Sequence, residues 1–182
     1  MRRLVSLLAL LLVIAGTAVA SEWGGIEPGV TTLESVRAGY GQPSKETRAK
    51  LENYDTIQWV YEGDRAPAGL VRMTVDFGLL VQSTYKPNVV RLLALQPKPG
   101  IFGKETVVQG WGVPEGLGDN PDGTVSMLWR DGLIVTLDKQ NENAVLMIFS
   151  LPQPGIPDAS AAPAPKPGAP APAPQPAPAP QR

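Results

Sequence analysis

From Ile57 onward, apolar residues return at every second position in four short runs: Ile57, Trp59 and Tyr61; Val71, Met73 and Val75; Val125, Met127 and Trp129; Leu133, Val135 and Leu137. A period of two places each set on one side of a strand, so these residues are the expected core faces. The intervening positions carry Gln58, Val60, Arg72, Thr74 and Asp76, then Ser126, Leu128, Arg130, Ile134, Thr136 and Asp138. This second face is mixed, neither core nor plainly solvated. The unbroken apolar runs Val89–Leu95 and Ala144–Leu151 predict two further strands. Thr31-Thr32-Leu33-Glu34 reads as a capping box, with Leu33, Val36 and Tyr40 on one helix face and Gly39, Gly41 and Pro43 ending it. A second short helix runs through Val107, Val108 and Trp111, behind Phe102-Gly103. Residues 44–53 hold one apolar anchor, Leu51, and fit a polar helix or a loop equally.

The two helices belong to an internal repeat. Pro28–Pro43 set over Pro99–Pro114 matches seven of 16 positions without a gap, including the opening Pro-Gly and the closing Gly-aromatic-Gly-x-Pro. Gln58–Tyr61 then aligns with Ser126–Trp129, and Met73–Asp76 with Val135–Asp138. The offset shrinks because Trp129–Leu133 turns tightly through Asp131-Gly132, a type I′ signal, where Glu62–Gly69 forms a longer loop. The expected fold is α+β: two tandem repeats, 21–97 and 98–151, each a short helical segment packed on a three- to four-stranded antiparallel sheet.

Both ends of the chain read differently. Arg2 and Arg3, the apolar run Leu4–Ala15 and the small residues to Ala20 have the zones of a secretory signal, 1–20, with Ala18 and Ala20 directing cleavage before Ser21. Residues 152–182 hold 12 Pro and 9 Ala. That composition predicts a disordered tail with polyproline II character, which acts as a spacer or contacts the cell wall.

Composition narrows the chemistry. The 182 residues include no His and no Cys. This excludes a Cys nucleophile, a Ser-His-Asp triad, a disulfide and a lipid anchor, and leaves no soft-metal ligands. With 16 basic against 17 acidic residues there is no field to gather nucleic acid. Removing Arg2 and Arg3 leaves 14 basic against 17 acidic, a mature charge of about −3 that favours solubility. Asp119-Asn-Pro-Asp-Gly123 lacks EF-hand spacing and reads as a turn. Ser44-Lys45 reads as a solvated loop, and Asp76 and Asp138 as recurrent strand-end residues. No catalytic residue, cofactor site or metal site is expected.

Pro28-Gly-Val-Thr-Thr with Val36, then Gly41-x-Pro43 and Trp59-Val-Tyr61, resembles the SmpA/OmlA (BamE-like) domain family, and the tandem copies resemble the β-lactamase inhibitor protein arrangement. The resemblance covers about residues 26–151. It implies a periplasmic accessory of outer-membrane protein assembly or envelope maintenance, acting through protein contacts in a Gram-negative bacterium. The inhibitor-like members imply a sheet face that grips a secreted enzyme, a β-lactamase or protease. Both implications are non-enzymatic, and both point to the mixed face: Val60, Arg72, Leu128, Arg130, Ile134 and Thr136.

Overall fold

The computed structural model describes residues 21–152. The signal segment with Ala18 and Ala20, and the Pro/Ala tail beyond Pro152, lie outside the described residues. In chain order come α1 (Leu33–Tyr40), β1 (Lys45–Leu51), β2 (Tyr54–Glu62), β3 (Leu70–Val81), β4 (Thr84–Pro97), α2 (Lys104–Trp111), β5 (Gly116–Asp119), β6 (Val125–Leu128), β7 (Leu133–Leu137) and β8 (Ala144–Ser150).

The expected two repeats, each a short helical segment packed on a three- to four-stranded sheet, are overturned. All eight strands form one antiparallel sheet in the order β1-β2-β3-β4-β8-β7-β6-β5. The helices are minor, eight residues each. The physical reason lies in β4 and β8, the two unbroken apolar runs. As edge strands of separate sheets they would expose bare amides beside apolar side chains, a hazard that pairing with each other removes. Their register sets Leu93 opposite Phe149 and Leu95 opposite Met147.

One face of the sheet is the core. Trp59, Tyr61, Met73, Val75, Phe77, Leu93, Leu95, Met127, Leu133, Val135, Met147 and Phe149 are fully buried there. Leu33 and Val36 of α1, Val107 of α2 and Ile26 of the N-terminal segment pack onto the same cluster. Each helix is too short to stand alone, so this packing holds it. At each C-terminus an aromatic side chain reaches the cap: the Tyr61 hydroxyl donates to Gly41 O at 3.1 Å and Trp129 Nε1 donates to Gly112 O at 3.2 Å. Carbonyls that helix geometry leaves without partners are satisfied in this way.

Four local expectations change. The α1 cap is Thr32, whose side chain accepts from Ser35 N at 3.3 Å; Thr31 Oγ1 instead accepts from Glu27 N at 2.9 Å. Residues 45–51 are neither helix nor loop but the edge strand β1, exposed throughout. A strand solvated on both faces has no alternation to read; its seven-residue pairing with β2 places it. Val71, expected in the core, is 52% exposed, because a register shift between Leu70 and Arg72 puts Leu70 inside instead. The Trp129–Leu133 turn is not type I′. Only Gly132 has positive φ, and Gly132 N donates to Trp129 O, so a type I turn ends in a left-handed glycine.

Candidate functional site

No element among the described residues covers the second face of the sheet; both helices lie on the other. The paired registers trace one cross-strand row over all eight strands of this open face: Lys45, Val60, Thr74, Ala94, Ile148, Ile134, Leu128 and Gly116. At ~4.8 Å per strand the row spans roughly 34 Å. From Val60 to Leu128 every member is half-buried. Leu92 and Leu146 widen the apolar stripe in the two central strands, also half-buried.

Polar side chains flank the stripe and largely satisfy one another. Arg72 bonds Glu62 Oε2 through Nε at 2.9 Å and Nη2 at 2.6 Å. Gln58 Nε2 donates to Asp76 Oδ1 at 2.8 Å, and Arg91 Nη2 lies 3.5 Å from Asp76 Oδ2. On the other half, Asn120 Nδ2 donates to Ser126 Oγ at 2.9 Å, and Ser126 and Thr136 hydroxyls meet at 3.3 Å. Most of these groups are paired, Arg91 Nε being buried without a hydrogen-bond partner, so the face offers a partner an apolar stripe with a largely satisfied polar margin. Such a surface loses little when its centre is desolvated. Beside Arg91, a cleft of about 220 Å³ opens between Leu51, Tyr54, Thr56, Leu80 and Tyr85.

The structure brings five of the six sequence-predicted face residues together. Val60, Leu128 and Ile134 share the cross-strand row, with Arg72 and Thr136 two positions from it along β3 and β7. Arg130 is not on the face: β6 ends at Leu128, and Arg130 stands exposed in the following turn, its amide bonded to Glu115 Oε2. Asp138 likewise sits in a turn, where it accepts from Glu142 N and Asn143 Nδ2. Those two bonds hold its carboxyl below its ordinary pKa. Leu92, Ala94, Leu146 and Ile148 escape the sequence reading. They belong to the unbroken apolar runs, in which side chains pointing to either face are alike apolar, so period two carries no sign of which face they take.

Other candidate chemistry is occupied. Asp122 Oδ1 accepts from Thr124 Oγ1 at 2.6 Å and Thr124 N at 3.0 Å, which lowers its pKa and closes the 119–123 turn. Ser44 Oγ donates to Glu62 O at 3.0 Å, away from any dyad role. Among the described residues, no three Asp or Glu side chains gather as a metal site would require.

No family model and no curated protein matches the chain. A solved structure of a DUF4309 family protein (YjgB) from Bacillus subtilis resembles it with a TM-score of 0.44 and 11% identity, over 70% of this chain and 83% of that one. A likeness at that level bears on no functional argument.

Proposed function

We propose that this chain is an exported, non-enzymatic protein-binding module whose open sheet face is the binding surface. The observation that carries the reading is the half-buried row from Val60 through Ile148 to Leu128, apolar except at Thr74 and uncovered among the described residues. Continuous apolar surface rimmed by polar residues marks interaction sites more often than solvated faces. The absence of His and Cys from the sequence adds support for binding over catalysis. The BamE-like resemblance of Pro28–Pro43 and Trp59–Tyr61 supports a periplasmic partner in outer-membrane protein assembly.

The test is retention on immobilised residues 21–182 from a detergent-solubilised envelope extract. Enrichment of β-barrel assembly components is the expected result. Leu128→Asp with Ile134→Asp buries carboxylates in that contact and should cut retention at least tenfold while circular dichroism stays unchanged. Retention that survives the pair removes the face as the site. Recovery of one soluble hydrolase, inhibited as the protein is added, replaces the assembly reading with the inhibitor one.

A further inference from the structure

Ser21 is the residue at which cleavage is expected to begin the mature chain, and it is buried, only 5% exposed. Its backbone nitrogen donates to Asp131 O at 3.0 Å, in the turn between β6 and β7. Two side-chain atoms of this same pair, Ser21 Oγ and Asp131 Oδ1, are buried without a hydrogen-bond partner. Orphaned buried polar atoms are uncommon, and a carboxylate oxygen without a donor is among the costlier kinds.

The turn holding Asp131 is fixed. Ser150 N and Ser150 Oγ both donate to Gly132 O, at 3.0 and 3.1 Å. A Cβ on Gly132 would stand 2.2 Å from Ser150 O, so the turn sits flush against the end of β8. The Asp131 backbone is thereby held in place beside Ser21 N.

We propose that cleavage before Ser21 creates an α-ammonium group that pairs with the Asp131 carboxylate and locks the new N-terminus into the fold. In the uncut chain, Ser21 N is an amide with one hydrogen, already given to Asp131 O. Hydrolysis of the Ala20–Ser21 bond adds water across it: Ala20 leaves with the carboxylate, and Ser21 keeps the nitrogen, protonated at neutral pH. That nitrogen then carries three donors. One keeps the bond to Asp131 O, and another is available to the unpartnered Oδ1. Each group answers the other's need: a buried ammonium requires a counter-charge, and the buried carboxylate oxygen requires a donor. Processing thus becomes part of folding. The inference goes beyond the binding face and rests on the proposed cleavage position.

The experiment compares purified chains beginning at Ser21 and at Ala20, each with native Asp131 and with Asp131→Asn, by urea unfolding. Beginning at Ser21 should raise the folding equilibrium constant about tenfold over beginning at Ala20, and Asp131→Asn should shrink that advantage to less than twofold. An advantage that is missing, or that persists in Asp131→Asn, overturns the pairing. Because Asp131→Asn also changes the turn itself, the Ser21 amine is followed separately with an amine-reactive reagent in folded protein. It should react at least tenfold more slowly than in Asp131→Asn; reaction at the rate of an exposed amine overturns the pairing as well. Mass spectrometry of the exported protein gives the cleavage position independently, and a mature start other than Ser21 overturns the device in the cell whatever the unfolding data show.

Discussion

Tyr61 is fully buried, and burial, the largest influence on it, pushes its phenol up to about 12 from an ordinary 10.0. Burial likewise raises Tyr40, whose hydroxyl donates to Gly24 O at 2.7 Å. A raised folded-state pKa means that the folded chain holds its proton where the unfolded chain releases it. The stabilisation is whole below pH 10 and is lost as pH climbs toward 12. Tyr61→Phe should therefore flatten the decline of urea midpoint between pH 10 and 12 in part, Tyr40 supplying the remainder. At neutral pH it should cost about 1 kcal/mol through the lost bond to Gly41 O. At Gly132 the obstacle is steric: φ is +97°, and a Cβ would meet three backbone atoms within 3 Å. Gly132→Ala should destabilise by roughly 3 kcal/mol in urea unfolding, since neither the turn nor β8 can yield cheaply.

At the scale of elements, the two helices differ in how firmly they begin. Thr32 caps α1 with its side chain, whereas Gly103 offers α2 none, and the Lys104 amide turns to Glu142 O at 2.7 Å. Thr32→Ala should cost about 1 kcal/mol; Gly103→Asp should add a few tenths, because its φ of −66° suits any residue and a Cβ there meets nothing closer than 3.9 Å. Thermal unfolding of both variants checks the pair, and equal effects would refute the asymmetry. The helices were legible because capping and glycine stops are local. The edge strand β1 was not. Lys45, Glu46, Arg48 and Lys50 make it look like a solvated helix, yet charges on an edge strand deter further strand pairing. Glu46 also anchors a core side chain. Its Oε2 accepts from Trp59 Nε1 at 3.0 Å, a bond that, with Arg48 beside it, lowers the Glu46 pKa.

Across the whole molecule, the β4–β8 pairing makes the two halves share one core. Phe149 illustrates the sharing, since it lies opposite both Leu93 and Leu133 and its ring is 5.9 Å from that of Trp111. Phe149→Ala should cost about 3–5 kcal/mol and move a single transition monitored by circular dichroism and tryptophan fluorescence alike. Two separated transitions would show instead that the halves unfold independently.

Sequence by itself determined the core positions Trp59 and Tyr61 of β2, Met73 and Val75 of β3, Met127 of β6 and Leu133, Val135 and Leu137 of β7, both helix positions, and five members of the open face. Each of these follows from residues within a few positions of one another, where period, cap and turn chemistry act. Only the tertiary structure decided that the strands make one sheet, that β1 is a strand, and that Leu92, Ala94, Leu146 and Ile148 complete the open face. It also decided that Ser21 meets Asp131. Strand pairing and burial are set by contacts between distant segments, and an unbroken apolar run or a fully solvated strand carries no local sign of the neighbour it will find.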